Sequence, residues 1–169
     1  AERGRNYLYH LEDQPKALVD INKTLTIEPE DIIALQALFW YHIRRRELAG
    51  AEAAYNRFQA AYPESFHLKR FMAYLLALRG KKADALAIEL NNFDRAFLYC
   101  YLGQYEQVMG LLKLYYDQEY LANKSSAYLQ LKNNSFLRGV RNDPRFQKML
   151  TKHKTLYDEY LIEYGDADN

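Results

Sequence analysis

The stretch Ala51-x3-Tyr55-x2-Phe58-x4-Pro63 decides the fold, because the same spacing stands earlier as Ala17-x3-Ile21-x2-Thr24-x4-Pro29. The alanine column continues to Ala85, so the third match is partial. The constant offset, about 34 residues, is the length of one helix–turn–helix unit in a stacked solenoid. Such a unit hides its apolar side only against its neighbours.

Working outward from these columns, the chain reads as helices throughout. Gly and Pro are few, 7 and 4, and fall mainly between periodic segments. Strand-like alternation is absent, which argues all-α. The end of an outgoing helix is expected over 5–11. Its return helix is expected from Gln14 to Ile27, with Leu18, Ile21 and Leu25 on one face. A second pair follows over 30–46 and 48–62, with Asp31 near the helix start. Leu35, Leu38, Phe39 and His42 fall there at i, i+3, i+4 and i+7. A third outgoing helix is expected to open at Ser65 and run to Arg79, with Leu68, Phe71, Met72, Leu75 and Leu76 as its apolar face. Gly80 then supplies a turn in register with Arg46. The return helix from Lys82 is read as short, ended by Asn91 and Asn92.

Gly103 follows Gly80 too soon, eleven positions short of the period. Eleven positions are close to three helical turns, so such a deletion shortens helices without rotating their apolar face. A fourth pair is expected over 93–102 and 104–120, with Val108, Leu111, Leu112 and Tyr115 inward. Beyond 120 the period is lost. A short helix over 125–131 and a turn around Gly139 precede a final helix begun by Asp143-Pro144. Phe146, Met149, Leu150, His153, Tyr157, Tyr160, Leu161 and Tyr164 share one face of it. That stripe either covers the open end of the stack or makes a dimer contact. The expected organisation is repeats over 1–122 (about three and a half to four, the first partial), a helical extension over 123–165, and a disordered tail over 166–169.

Composition narrows the function classes. Of 169 residues, 49% are hydrophobic and 27% charged, a globular profile. The net charge of +1 argues against a polyanion-binding protein as a whole. Cys100 is the single cysteine, so no internal disulfide can form and a reducing, cytoplasmic compartment is expected. No stretch approaches the uninterrupted apolar length of a membrane helix, so no membrane insertion is expected. The start Ala1-Glu2-Arg3-Gly4-Arg5 lacks an initiator Met and enters a helix part-way, as a piece cut from a longer protein would.

These columns resemble tetratricopeptide repeats, and the resemblance covers about residues 3–120. Leu102-Gly103-Gln104-Tyr105-Glu106 is similar to that family's turn between paired helices. The resemblance implies a right-handed α-solenoid of antiparallel helix pairs with a C-terminal capping helix. Leu35 and Lys69 stand where the family has an aromatic, and Phe39 where it has a small residue, which bears on the curvature. Phe136-Leu137-Arg138-Gly139-Val140-Arg141-Asn142-Asp143-Pro144-Arg145-Phe146, followed by Met149-Leu150, resembles the close of repeat regions in certain bacterial regulatory proteins. That implies the C-terminal sensory or docking part of a bacterial signalling or transcription regulator.

In this family the outgoing helices line a concave surface. Carried over, the groove positions are Asn6, Tyr9 and His10; then Ile33, Gln36, Trp40, Ile43 and Arg44; then His67, Arg70, Tyr74, Ala77 and Leu78; then Phe97 and Tyr101. The implied function is a protein–protein interaction module whose partner is a protein or peptide with apolar anchors. The Lys/Asn set with which some members grip a peptide carboxylate is not reproduced; Asn6 and Arg70 come nearest. The alternative is a dimerisation or spacer element, with the groove filled by its own C-terminal helix or a homodimer formed through that helix.

No chemistry is legible. His10, His42, His67 and His153 lie far apart without a second ligand at i+3 or i+4 on a convincing face, so no metal is expected. Cys100 reads as a buried, inert thiol. There is no phosphate-cradling glycine loop, nucleophile turn or zinc-protease helix, and Asp158-Glu159 point apart on a helix. No cofactor and no enzymatic activity are expected. Arg44-Arg45-Arg46 suits a helix end, and Arg138, Arg141, Arg145, Lys148, Lys152 and Lys154 gather near the last helix start. Aromatics interleave there only at Phe136 and Phe146, so surface charge is a better reading than a nucleic-acid contact.

Overall fold

The computed structural model describes residues 14–116 and 124–165, which hold nine α-helices, one 3-10 helix and no strand. The chain divides into two compact units, 1–90 and 91–169. The expected junction after 122 and the 166–169 tail lie outside the described residues.

The first unit holds α1 (Gln14–Ile27), α2 (Ile32–Arg45), α3 (Leu48–Ala61), α4 (His67–Leu78) and α5 (Lys82–Ala87). Helix α2 packs on α1, α3 and α4, α3 also packs on α4, and α4 on α5. The alanine column is the reason these helices approach: Ala17, Ala51 and Ala85 are each 0% exposed. With only a methyl between backbones, neighbouring side chains close over the crossing. Ile21, Tyr55 and Phe58 are buried beside them. Return helix α3 also ties down the corner before its own pair. Arg57 donates to the Pro29 carbonyl at 2.8 Å, and the Tyr62 hydroxyl donates to the Glu30 carbonyl.

The turns recur with the columns. Arg46 has φ 56° and Gly80 has φ 80°. After each, the next N–H reaches back across the turn: Glu47 to His42 O at 3.0 Å and Lys81 to Leu76 O at 2.9 Å. This is the Schellman closure, which needs a left-handed residue. Glycine takes that conformation freely, whereas Arg46 carries a cost of about 1–2 kcal/mol. Asp31 caps α2 by accepting from the Ala34 N–H at 2.7 Å. Helix α4 starts at His67 rather than Ser65; the Ser65 hydroxyl accepts from the His67 N–H at 3.3 Å. Within α3, Gly50 lies flush against His42, where an added Cβ would meet the imidazole at 2.3 Å. The His42 Nδ1 bonds Glu47 at 2.8 Å. The hydrogen bond from Arg45, and after it the His42 pairing, holds the Glu47 carboxyl below its usual range.

The missing eleven positions fall at the end of this unit. Helix α5 has 6 residues where α3 has 14, and Ile88 is already extended. Asn91 corrects the expectation that it ends α5. Its side chain accepts from the Asp94 N–H at 2.8 Å, so it starts the next helix. Asn suits both helix ends, and sequence alone does not separate the two uses.

The second unit holds α6 (Asn92–Tyr101), α7 (Tyr105–Leu114), α8 (Lys124–Asn133), a 3-10 helix (Ser135–Val140) and α9 (Pro144–Tyr164). Gly103 repeats the left-handed turn at φ 73°, with Gln104 N–H to Tyr99 O at 2.9 Å. The 3-10 helix packs on α6 and α7, and α9 packs on α8 and α7. Gly139 lets that segment in close, because a Cβ there would meet the Tyr105 ring at 2.1 Å. Phe136 comes within 6.0 Å of Phe97, and Tyr116 within 5.2 Å of His153, between ring centroids. Asp143 caps α9, accepting from the Arg145 N–H at 2.8 Å, with Pro144 at the first position. The Arg145 guanidinium beside it lowers the Asp143 carboxyl from 3.8 to about 2. The α9 stripe is covered at Phe146 and His153 and bare from Tyr160 onward. Cys100 is buried in α6, and burial pushes its thiol up to about 12.

Candidate functional site

Helices α2 and α4 pack against each other, and their sequences explain what they present. Each carries two large rings close together, Phe39 and Trp40 on α2, Phe71 and Tyr74 on α4. The rings meet across the contact. Phe39 stacks on Phe71 at 4.1 Å, and Phe58 of α3 meets Phe71 at 5.0 Å. Trp40 stands edge-on to Phe71 at 5.5 Å and to Tyr74 at 4.8 Å. Such edge-to-face pairs add about 0.5–1.5 kcal/mol each beyond area burial. Phe39, Phe71 and Tyr74 are buried, whereas Trp40 is half-buried. The indole is therefore the part of the cluster that reaches the surface.

Arg70 lies over that indole, its guanidinium carbon 5.2 Å from the Trp40 ring centre and 5.8 Å from that of Phe71. Its terminal nitrogen is 3.0 Å from His67 Nδ1. Arginine only donates, so Nδ1 accepts and the imidazole is neutral in this arrangement. The guanidinium is thus oriented by an aromatic face and an imidazole together, which reduces the rotamer entropy lost on engaging a further group. Beside this stand Gln36 and Arg44, both half-buried on α2. Neither α2 nor α4 contains an aspartate or glutamate.

The groove positions taken from the resemblance divide into four groups. Ile33, Gln36, Trp40, Arg44, His67, Arg70 and Leu78 are partly exposed on α2 and α4. Ile43 and Tyr74 are 0% and 1% exposed, so they belong to the packing under the face rather than to the face. Ala77 is buried for the same reason. Position within a helix gives direction, but not how closely the next helix covers it. Phe97 and Tyr101 lie on α6 in the second unit; Phe97 is buried and meets Phe93 at 4.3 Å, while Tyr101 is half-buried. Asn6, Tyr9 and His10 lie outside the described residues.

Sequence reasoning misses Phe66, which is 80% exposed with its ring 3.9 Å from His67. A signal for it exists: Phe66 stands one full period after Ile32, itself 37% exposed. The pair extends the apolar part of the face toward the helix starts.

Among the described residues no cluster of His, Cys, Asp and Glu could hold a metal ion. Among them, too, no helix is long and apolar enough to cross a membrane. Comparison with family models, with curated proteins and with solved structures finds no match.

Proposed function

We propose that this chain is a tetratricopeptide-like interaction module that binds a protein or peptide segment through the partly exposed face of α2 and α4. The proposed architecture is a right-handed solenoid of antiparallel helix pairs, with that face on its concave side. The setting is the cytoplasmic docking or sensory part of a bacterial regulator. The observation that carries the reading is Arg70 held over Trp40, flanked by His67, Gln36 and Arg44, on two helices without a carboxylate. An aromatic platform with an oriented guanidinium has the composition of a binding hot spot. The recurrence of turns and buried alanines at one constant interval supports the repeat assignment. Nothing at this face resembles a nucleophile with a base, so binding rather than catalysis is the reading.

Trp40 is the single tryptophan, so its emission reports this face directly. Peptides selected on the chain from a random displayed library should shift Trp40 emission on titration. Arg70→Ala combined with Gln36→Ala should weaken them at least about tenfold, about 1.4 kcal/mol, with far-UV circular dichroism unchanged. Selected peptides that bind both proteins equally would end the assignment of this face.

A further inference from the structure

One contact at the α2/α4 face exists in only one protonation state. The Arg70 terminal nitrogen lies 3.0 Å from His67 Nδ1. A guanidinium donates and never accepts, so Nδ1 must be bare to receive it. An imidazolium carries a proton on each nitrogen and has nothing left to accept with. Protonating His67 therefore removes this hydrogen bond and sets two cations side by side. His67 is half-buried rather than sealed, so protons reach it. Its ring is wedged among others: Phe66 at 3.9 Å, Phe71 nearly parallel at 6.1 Å, and Phe58 of α3 edge-on at 6.3 Å. The long arginine side chain is thus the partner that yields. The attraction of the guanidinium to the Trp40 ring, at 5.2 Å, is modest where water has access and does not match the repulsion.

The ionisable groups on the elements packed against α4 are Tyr41, His42, Arg44 and Arg45 on α2, Glu52, Tyr55 and Arg57 on α3, and Lys82 and Asp84 on α5. Glu64, Lys69 and Arg70 neighbour His67 along the chain. Of all these, only His42 is of a type that ordinarily changes charge between about pH 7.5 and 5.5, as His67 does. The His42 Nδ1 lies 2.8 Å from Glu47, so it belongs to a different pair and is the control.

We propose that His67 is a positioning residue that works as a proton-operated latch. At neutral pH it holds Arg70 over Trp40. As pH falls it takes a proton and releases the guanidinium, and the α2/α4 face loosens its hold on a partner. This rests on the binding face proposed above and adds its regulation. The coupling is reciprocal, so a partner that engages the held guanidinium keeps His67 neutral. Below the midpoint, each pH unit costs such a complex up to about tenfold in affinity.

The test follows the emission of Trp40, the single tryptophan, in the full chain from about pH 7.5 to 5.5. The unmodified chain should show one step with its helicity unchanged. His67→Gln should show none, because the amide oxygen still accepts from Arg70 and takes no proton. Arg70→Met should be flat at the acid level, and it carries the test if His67→Gln fails to fold. His42→Gln should keep the step. Histidine-free peptides selected at neutral pH should bind the unmodified chain several-fold more weakly in acid, and His67→Gln equally at both ends. No step in the unmodified chain overturns the latch, as does one accompanied by loss of helicity. A step that survives in His67→Gln or Arg70→Met, or that vanishes in His42→Gln, overturns it too. Peptides that still discriminate against Arg70→Ala with Gln36→Ala in those cases would leave the binding face standing. An emission step of the expected kind with peptides indifferent to that double variant would remove the face, and with it the regulation of binding.

Discussion

The first unit repeats one solution, and the second assembles several. From α1 to α5 the same three devices recur: a buried alanine at Ala17, Ala51 and Ala85, a left-handed turn at Arg46 and Gly80, and rings shared between successive helices. The second unit keeps the turn, at Gly103, the shared rings, at Phe93 with Tyr115 and Tyr128 with Tyr157, and buried alanines, at Ala96 and Ala127, but not their constant spacing. It adds a 3-10 segment lying against Tyr105 at Gly139, an Asp143 cap and a buried His153. Periodicity in sequence therefore measures reuse of a packing solution and not the presence of helices. Both units are helical, yet only one can be read by counting.

The largest expected difference lies in the ring stack. Phe71 is fully buried and touches Phe39, Trp40 and Phe58, so it ties α2, α3 and α4 together. Phe71→Ala should cost about 3–5 kcal/mol, read from urea curves followed by Trp40 emission. A cost below about 1 kcal/mol would mean that the recurring alanines, and not the shared rings, hold the first unit.

A smaller effect tests what the units have in common. Gly103→Ala should cost about 1 kcal/mol, since alanine resists the left-handed region, and Gly80→Ala should match it. Arg46→Gly should move the other way, gaining up to about 1 kcal/mol after glycine's greater freedom in the unfolded chain is counted. Thermal midpoints of the three variants decide it. Equal losses in all three would show that Arg46 is kept for its side chain.

The smallest effect separates a local device of the second unit. The Asp143 carboxyl is lowered from 3.8 to about 2 by Arg145, so the folded state prefers it ionised. Its contribution is complete above 3.8 and disappears as pH falls through about 2. Asp143→Asn should flatten the acid limb of the stability curve across that window and lower stability at neutral pH by the Arg145 ion-pair part alone, because Asn still caps. An identical acid limb in the variant would assign acid sensitivity to other carboxylates.

How much is legible in the sequence follows from what each feature requires. A helix crossing requires a small residue at a fixed spacing, so Ala17, Ala51 and Ala85 announce themselves. The turn at Arg46 is found only because Gly80 stands one period later. Gly50 looks neutral in the sequence, since its purpose appears only with the His42 ring beside it. Spacing puts Trp40 and Arg70 on one face. Their stacking depends on side-chain direction, which spacing does not supply. Tyr74 shares the column of Trp40 and differs in exposure, because burial is set by whatever lies above a position.

The sequestered thiol of α6 has a practical consequence. Cys100 is the chain's single sulfhydryl and is kept protonated well above neutral pH. Alkylating reagents attack the thiolate, so they must wait for α6 to open. The rate at which the native protein takes up such a label is therefore a clock for the rare excursions of that helix, already installed at a known address.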